Sequence, residues 1–455
     1  MSDEAALLAA IRDNPDEDTP RLIYADWLDD QGGESNAARA EFIRVQVELA
    51  RMVAWEDEWC EARADELLAR EKQLFDAHRL TWLRPTEPAP RGFQPGHITF
   101  RRGFAEEGFF RTDELREYAS HIRAYPLLRS LQISAVDRYS IDGVLELPWL
   151  EEVRCLELIV HAESFGPPDW AKLGSCERFQ SLRSLELGFE ELLTRDAAER
   201  IASNPTLRLV QRLRFWEQSG QQSVAAMLSG SAFGALESLE VYNRGRREGF
   251  PPDPLPDVTR YTSCARLRRI KLNDYSITAS VVEELVRGEC WSDLRDLELG
   301  GGEIKPEAIR VLGRASAPRL QTLCLGGNAL VHLNGLCGPL LGSVRHLSLT
   351  ANHELTPAAL RELAGCDAAR GLRCLDLSDC YSVGDAGAEV IAASAVFAGL
   401  ERLDLINTEL GPVGALALAE SPHLRDDLTV ILHGCHLDDR SRSALRARFG
   451  ERVYW

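Results

Sequence analysis

The stretch LRCLDLSDC, residues 372–380, decides the fold because eleven other segments of the chain share its spacing. Its apolar residues follow the order L-x-x-L-x-L, which also occurs in LRSLELG at 182–188, LESLEVY at 236–242 and LERLDLI at 400–406. The remaining copies begin at residues 128, 153, 210, 267, 294, 320, 344 and, in the degenerate form DLTVILH, 427. Twelve copies at a mean spacing of roughly 27 residues predict a repeat array.

This spacing predicts one short strand and one helix in each repeat. A single repeat cannot bury its apolar face alone, so neighbouring repeats stack and share one interior. Segments of helical character lie between the copies: TPAALRELAG (356–365), GDAGAEVIAAS (384–394) and GPVGALALAES (411–421). The predicted fold class is therefore α/β, a solenoid with parallel strands on its concave side and helices on its convex side.

The residue that closes each strand carries a second signal. In the later repeats this position holds Asn328, Asn352, Cys380, Thr408 and Cys435. A small polar side chain there can satisfy backbone groups left open where the chain turns off the sheet. The first repeats hold Val136, His161, Glu190 and Gln218 instead. We therefore expect the first repeats to be irregular.

The mixture of Asn and Cys with long helical repeats resembles the ribonuclease-inhibitor type of leucine-rich repeat. The resemblance covers about residues 110–450 of the chain. It implies a horseshoe-shaped leucine-rich-repeat solenoid.

The N-terminal 80 residues predict helices only. Ser2 can cap a first helix. In TPRLIYADWLDDQGG (19–33), Pro20 suits the start of a second helix and Gly32-Gly33 its end. The apolar residues Leu22, Ile23, Trp27 and Leu28 fall on one face of that helix, with Tyr24 at the margin.

Residues 3–50 resemble the repeat-companion domain of bacterial proteins that carry it ahead of repeat arrays. HRLTW (78–82) and FRRGFAEE (100–107) are similar to segments that accompany this domain. The resemblance implies an architecture and no activity. We interpret Trp27 as part of a small helical core, with Asp26 and Arg21 in local polar contacts. A docking face that includes Tyr24, Asp26 and Trp27 is the alternative.

Four regions follow from these patterns: a helical companion domain (1–80), a linker with the N-terminal cap of the solenoid (81–127), the repeats (128–437) and a C-terminal cap (438–455). The linker is the proline-rich segment 84–96, and HITFRRGFAEEGFF (97–110) predicts a β-ribbon within the N-terminal cap. A helix over 438–450 is expected in the C-terminal cap.

Composition excludes several classes of function. The net charge of −19 argues against nucleic acid, because phosphate binding needs a basic surface. No apolar run approaches the ~20 residues that span a bilayer, and the N-terminus lacks the pattern of a signal peptide. The eleven cysteines include no C-x-x-C pair, which is typical of reduced thiols. We expect a bacterial, cytoplasmic, acidic protein that is a monomer and does not bind membranes.

The common catalytic and phosphate-binding motifs are absent from the sequence. HGCHLDD (433–439) gathers His, Cys and Asp and raises the possibility of a metal site near His433. However, Cys435 occupies the strand-closing position, and Asp438 or Asp439 suits a helix cap. We therefore predict no enzyme activity, no cofactor and no metal.

The strand register indicates which side chains face outward. The second position of the motif is mostly basic or amide: Arg129, Arg154, Arg183, Gln211, Arg268, Arg295, Gln321, Arg345 and Arg373. The fifth is mostly acidic, with two cations among the acids: Glu157, Glu186, Arg214, Glu240, Lys271, Glu298, Asp376 and Asp404. Rows of opposite sign are expected to neutralise one another, so the pattern is first of all that of a solvated sheet face.

Three adjacent repeats add aromatic residues to this face. The predicted partner-binding residues are Phe189, Arg214, Trp216, Glu217 and Tyr242. Aromatic and arginine side chains dominate the energetics of protein interfaces. The structural alternative is that Phe189 turns inward to cover irregular repeats. We predict a non-enzymatic module that binds a partner protein on the concave face. The alternative is an adaptor in which the N-terminal helices recruit a common partner and the repeats select targets.

Overall fold

The computed structural model describes residues 3–15, 17–54, 61–82, 97–122, 125, 127–160, 165–189, 193–217, 221–243, 258, 261 and 264–455. The chain divides into two compact units. One comprises Met1–Gly166 and Glu177–Leu182, and the other comprises Pro167–Cys176 and Arg183–Trp455. The predicted cap Ser2 and the predicted linker 84–96 lie outside the described residues.

The first unit begins with four helices, as the sequence predicts: α1 (Asp3–Asp13), α2 (Thr19–Gln31), α3 (Glu34–Ala54) and α4 (Glu61–Trp82). Helix α2 has Asp18 at its N-cap position and Pro20 in its first turn, where a missing N–H loses no hydrogen bond. It ends at Gly32, whose positive φ of 70° is a conformation that glycine adopts readily.

A small core forms among these helices. Its buried members are Ile11, Tyr24, Ala25, Leu28, Ala40, Ile43, Val47, Phe104 and Leu127. Trp27 packs against this cluster from a partly buried position, together with Leu7, Leu8 and Leu22. The predicted core is confirmed for Leu22, Trp27 and Leu28, but Ile23 is 50% exposed and lies outside it, and Tyr24, which was placed at its margin, is the more deeply buried of the two large rings in helix α2.

Arg21 has no exposed surface and pairs with Glu106, while its Nη2 donates to the carbonyl oxygen of Pro15 at 2.6 Å. The bond to Pro15 is the local contact that the sequence-based interpretation expected, but the pairing with Glu106, 85 residues further along the chain, was not predicted. Asp26 pairs with Arg44 at 2.7 Å in an exposed position.

The first unit continues with a β-ribbon and the first two repeats. Strands β1 (Ile98–Arg101) and β2 (Phe104–Arg111) are antiparallel, which confirms the predicted ribbon. Strand β3 (Ser130–Val136) pairs in parallel with β2, and β4 (Cys155–Val160) pairs in parallel with β3. Three short helices belong to this part: α5 (Thr112–Glu117), α6 (Ala119–Ile122) and α7 (Ile141–Leu145).

In the second unit each remaining copy of the motif forms one strand. These strands are β5 (Ser184–Phe189), β6 (Arg212–Glu217), β7 (Ser238–Asn243), β8 (Arg269–Asn273), β10 (Asp296–Glu298), β12 (Thr322–Cys324), β13 (His346–Ser348), β14 (Cys374–Asp376), β15 (Arg402–Asp404) and β16 (Thr429–Ile431). Each pairs in parallel with the next, and motif positions align across the strands. Strand β17 (Val453–Tyr454) pairs with β16, while β9 (Ser276–Ile277) and β11 (Glu303–Ile304) pair with each other.

Helices connect these strands: α8 (Pro167–Gly174), α9 (Arg195–Ala202), α10 (Gln221–Ser229), α11 (Ala279–Arg287), α12 (Pro306–Arg314), α13 (Pro357–Ala364), α14 (Gly384–Ala393), α15 (Pro412–Ala419) and α16 (Asp439–Phe449). Consecutive helices such as α14 and α15 contact each other. The three helices predicted after residues 356, 384 and 411 are present, and so is the C-terminal helix.

The leucines of the motif form the interior of the second unit. Leu323, Leu347, Leu375 and Leu403 occupy the same register position on four successive strands, and each is at most 1% exposed. Parallel pairing stacks each leucine on its equivalent in the next repeat, which is the physical basis of a shared interior.

The strand-closing residues bind backbone carbonyls, as predicted. Nδ2 of Asn328 donates to Leu299 O at 2.6 Å, and Sγ of Cys380 donates to Leu349 O at 3.2 Å. Both acceptors belong to the preceding repeat. Thr408 has a shorter side chain, and its Oγ1 donates to Leu405 O of its own repeat at 2.8 Å.

The first repeats depart from this pattern. Val136 is fully buried, and the pairing of β3 with β4 shifts register between Ile133 and Val136. His161, Glu190 and Gln218 lie outside the described residues. Within the described part of the chain, no helix is both long enough and apolar enough to cross a bilayer.

Candidate partner-binding face

The predicted site lies on the side of the sheet opposite the leucine interior, here called the open face. In strand β6, Leu213 and Phe215 are buried, so the alternate residues Arg214 and Trp216 face outward. Register places Arg214 opposite Glu240 and Trp216 opposite Tyr242 of strand β7. Two aromatic residues therefore stand side by side on neighbouring strands.

The rings of Trp216 and Tyr242 are stacked. Their centroids lie 5.4 Å apart with an angle of 19° between the ring planes. Stacked pairs of this kind contribute about 0.5–1.5 kcal/mol beyond the area that they bury. Both residues remain partly exposed. The pair is thus held in place before any partner arrives.

Arg214 joins two carboxylates across three strands. Its Nε donates to Glu240 at 2.7 Å, and its Nη1 donates to Glu186 at 3.0 Å. Burial opposes the charge of Arg214, but these hydrogen bonds outweigh it and raise the pKa of the guanidinium above its ordinary value. Burial raises the pKa of Glu186, and Arg214 counters part of that rise. The guanidinium is thus fixed in the row next to the aromatic pair, on the same face of the sheet.

The same row continues on the next strands. Lys271 pairs with Glu298 at 3.0 Å, and Nδ2 of Asn273 donates to Glu298 at 2.8 Å. Asn273 stands opposite Tyr242 in the register, and its Oδ1 accepts a hydrogen bond from the N–H of Gly300 at 3.1 Å. Along the row that contains Trp216, the side chains therefore become smaller, from Trp216 and Tyr242 to Asn273 and then to Gly300.

The sequence predicts that the second-position and fifth-position rows neutralise each other's charges. The observed ion pairs on this face differ from that expectation. Charges in the fifth-position row pair with one another along the row, as in Glu186–Arg214–Glu240. Two arginines of the second position also bind backbone carbonyls of the loops: Arg345 Nη1 donates to Gly371 O at 3.2 Å and Arg373 Nη1 to Gly399 O at 3.1 Å. Arg345 and Arg373 bind these backbone atoms because a second-position side chain starts before the strand and reaches the carbonyls beside it.

Of the five predicted residues, the structure brings Arg214, Trp216 and Tyr242 together. Phe189 ends β5 and Glu217 ends β6, but their side chains lie outside the described part of the structure. Leu187 pairs with Phe215, so Phe189 falls one position beyond the row of Trp216. The roles of Phe189 and Glu217 stay predictions.

A second polar cluster on the later strands was not singled out by the sequence. Asp376 accepts hydrogen bonds from Thr350 Oγ1 at 2.6 Å and Ser348 Oγ at 3.2 Å. Its register neighbour Asp404 is buried and bound by Nε of Arg402 at 3.0 Å. Burial raises the pKa of Asp404 to about 6, against the opposing effect of Arg402. In the sequence, Asp376 and Asp404 were recognised only as members of the fifth-position row of the motif.

Two residues of HGCHLDD, Cys435 and Asp438, have structural roles. Sγ of Cys435 donates to Leu405 O at 3.1 Å, and Asp438 caps helix α16 by accepting from the N–H of Ser441 at 2.8 Å. Among the residues that the structure describes, no three His, Cys, Asp or Glu side chains are grouped so as to hold a metal ion.

Comparisons with known proteins agree with the repeat architecture. Residues 370–392, which include the strand of LRCLDLSDC, match the family model described as "Leucine Rich repeat". The parallel strands, stacked leucines and connecting helices define the class: the fold is a leucine-rich-repeat solenoid with a helical N-terminal region.

A more particular likeness is to the monocyte differentiation antigen CD14 of Bos taurus. The two are 29% identical over 215 residues, which is 45% of this chain and 54% of that protein. The chain thus spans about half the length of the curated relative that it matches.

Two solved structures are similar over most of the chain. The Rad7 and Elc1 complex of yeast matches at 16% identity and a TM-score of 0.45, covering 83% of this chain and 93% of that chain. An internalin from Listeria monocytogenes matches at 15% identity and a TM-score of 0.34, covering 71% and 80%. Both TM-scores lie below 0.5, so neither superposition establishes a shared function.

Proposed function

We propose that this protein is a non-enzymatic protein-interaction module that binds a partner protein on the open, concave face of its repeats. The observation that carries the proposal is the stacked pair of Trp216 and Tyr242, with Arg214 fixed in the adjacent row of the same face. Large aromatic side chains gain much contact area for little loss of rotamer freedom. Stacking reduces that loss further, because the rings are already ordered in the free protein.

The electrostatics of the face favour an apolar contact at its centre. Arg214 and Lys271 are already paired with Glu186, Glu240 and Glu298. A partner therefore need not supply charges to neutralise this row.

The absence of catalysis is part of the proposal and is supported by the thiols. Burial raises the pKa of Cys290 to about 11 and of Cys374 and Cys380 to about 12. Thiolates are the reactive form of cysteine, so these thiols are poor nucleophiles at neutral pH.

The test compares the proteins retained by the wild-type chain and two full-length variants in affinity purification with quantitative mass spectrometry. Trp216→Ala with Tyr242→Ala should abolish retention of the partner that the wild-type chain retains. Tyr381→Ala is the matched control, because Tyr381 is an aromatic residue with 47% exposure away from the site. Equal retention by the double variant and the wild type, with both folded by circular dichroism, would refute the site.

A second candidate is the adaptor, in which the N-terminal helices recruit a common partner. The exposed side chain of Ile23, 50% accessible on helix α2, favours it as an apolar contact beside the small core. A fragment of residues 1–80 would lose Phe104 from that core and the Glu106 partner of Arg21. The full chain with Ile23→Asp is therefore the better test, and loss of a partner that the Trp216/Tyr242 variant keeps would support the adaptor.

The finer classification also belongs to the proposal. The carbonyl contacts of Cys380 and Cys435 support repeats of the ribonuclease-inhibitor type, and the core around Tyr24 supports an N-terminal companion domain. Ten described cysteines are free thiols, which supports a reducing, cytoplasmic location. The net charge of −19 supports a chain that binds neither nucleic acid nor anionic membranes. Light scattering tests whether it is a monomer.

A further inference from the structure

Arg39 of helix α3 is enclosed by aromatic rings. Its guanidinium carbon lies 4.8 Å from the ring centroids of Trp82 and of Phe100, 5.6 Å from that of Phe104 and 5.8 Å from that of Phe42. The rings also contact one another, with Phe42 4.8 Å from Trp82 and 5.6 Å from Phe100. We call Phe42, Trp82, Phe100 and Phe104 the aromatic box.

Two hydrogen-bond donors at this box have no acceptor among the described residues. Nη1 of Arg39 and Nε1 of Trp82 are both buried, and neither has a partner in the part of the chain that the structure describes. Burial lowers the pKa of Arg39 to about 10, so the guanidinium is still charged at neutral pH. Cation–π contacts compensate a buried cation only in part, and an unpaired buried donor is unfavourable.

The neighbouring arginines show what is missing. Arg21 is fully buried and pairs with Glu106, and Arg44 on the same helix as Arg39 binds Asp26 and Asp29. Each of these guanidinium groups has a carboxylate, whereas the box around Arg39 offers only ring faces. An acceptor that reached both Nη1 and Nε1 would relieve two unsatisfied donors at once.

We propose that Arg39 and Trp82 form a binding site for a carboxylate carried on an apolar group. The carboxylate accepts hydrogen bonds from the guanidinium and the indole N–H, and the apolar group packs on Trp82, the most exposed ring of the box. Guanidinium and carboxylate form strong charge-assisted hydrogen bonds. A phosphate fits less well, because its larger charge needs more donors than these two to offset its desolvation.

This site shares no residue with the open face. It would give the N-terminal helices a ligand of defined chemistry, either a small organic acid or the carboxyl end of a chain with an apolar last residue. Binding at the aromatic box and binding at Trp216 and Tyr242 can therefore be tested separately, and either can fail alone.

The test uses the full-length ¹⁵N-labelled chain and sodium benzoate as the probe. The chain has nine tryptophans, and Trp82→Phe identifies the indole N–H resonance of Trp82. Benzoate should shift this resonance to saturation, while the neutral isostere benzamide should leave it in place. Arg39→Met should weaken benzoate binding at least tenfold. The matched control Arg44→Met, which removes an exposed arginine of the same helix, should bind as the wild type does.

The proposal is wrong if benzoate produces no saturable shift, if benzamide binds equally well, or if Arg39→Met binds like the wild type. The remaining indole resonances report whether Arg39→Met is folded. If it is not, Arg39→Lys decides, because it keeps the charge but loses the planar pair of donors and should still weaken binding. A peptide ending in Phe, with a free or an amidated terminus, then distinguishes the sources: tighter binding of the free terminus than of benzoate indicates a chain end, and weaker binding indicates a small acid.

Discussion

Asn352 holds the turn of the repeat before its own. Its Oδ1 accepts hydrogen bonds from the backbone N–H of Asn328 at 3.1 Å and of Leu330 at 3.0 Å. Its Nδ2 donates to the carbonyl oxygens of Leu325 at 3.0 Å and Leu349 at 2.7 Å. The side chain is fully buried. One asparagine therefore satisfies four backbone groups in two repeats.

Asn352→Ala should lower the free energy of unfolding by about 3 kcal/mol or more. Each buried polar group left without a hydrogen bond costs about 1–3 kcal/mol, and water can reach only some of the four backbone groups that Asn352 binds. Urea denaturation measures the change. Hydrogen exchange of the Asn328 and Leu330 amides should accelerate more than that of amides in strand β6.

Asn334→Ala is the control for this prediction, because Asn334 is exposed one repeat away. Its free energy of unfolding should stay within about 0.5 kcal/mol of the wild type. Equal effects of the two substitutions would contradict a special role for the buried amide.

The backbone beside this ladder shows where sequence reasoning stops. The residue just before each strand-closing position has a positive φ even where it is not glycine: 56° at Ala351, 58° at Asp379 and 53° at Asn407. Hydrogen bonds between neighbouring turns require it, as when the N–H of Ala351 donates to Ser378 O at 2.8 Å. Left-handed residues that are not glycine are unfavourable by about 1–2 kcal/mol, so local preference alone does not predict them.

For the candidate site as well, the sequence predicts some features and not others. Periodicity was enough to place Arg214, Trp216 and Tyr242 on one face, because the motif fixes which strand positions point outward. It could not show that Arg214 bridges Glu186 and Glu240, since that depends on side-chain reach between strands. The pairing of Arg21 with Glu106 was equally hidden, because no repeat relates two residues so far apart in sequence.

Leu375→Ala should lower the free energy of unfolding by about 2–5 kcal/mol, through lost burial and the cavity left between neighbouring leucines. Leu375 is fully buried and stacks between Leu347 and Leu403 in the register. Leu209→Ala is the matched control, because Leu209 is 36% exposed. Comparable losses in urea denaturation for both variants would show that Leu375 does not lie in a closely packed interior.

Glu106→Gln should lower the free energy of unfolding by about 3–5 kcal/mol, because it leaves the buried guanidinium of Arg21 without a charged partner. The double variant Arg21→Met, Glu106→Leu should recover most of this loss, since an apolar pair needs no partner. Thermal and urea unfolding of the single and double variants complete the cycle. A double variant as unstable as Glu106→Gln would mean that the loss arises from packing and not from the unpaired charge.

The raised pKa of Asp404 leads us to expect that the stability of the folded chain decreases as pH rises. Burial raises the pKa of its carboxyl group to about 6 in the folded chain, above the ordinary value of 3.8. Between these values the folded state binds more protons than the unfolded state, so the free energy of unfolding falls as pH rises from about 4 to about 6. The upper bound of this fall is about 3 kcal/mol, at about 1.4 kcal/mol for each pKa unit.

Asp404→Asn removes this titration while keeping the size of the side chain, so the difference in unfolding free energy between wild type and variant should change with pH over that window. Near pH 4 the two chains should have similar free energies of unfolding. Near pH 7 the free energy of unfolding of the wild type should be lower relative to that of the variant. The interaction with Arg402 is already contained in the folded-state pKa, which would be higher without it, so it reduces the size of this change and does not alter its sign. Asp367→Asn is the control, because the side chain of Asp367 is 88% exposed. If the difference in unfolding free energy between wild type and Asp404→Asn does not change from pH 4 to pH 7, the pKa of Asp404 is not raised in the folded chain. Arg402 would then compensate the buried charge of the carboxylate in full.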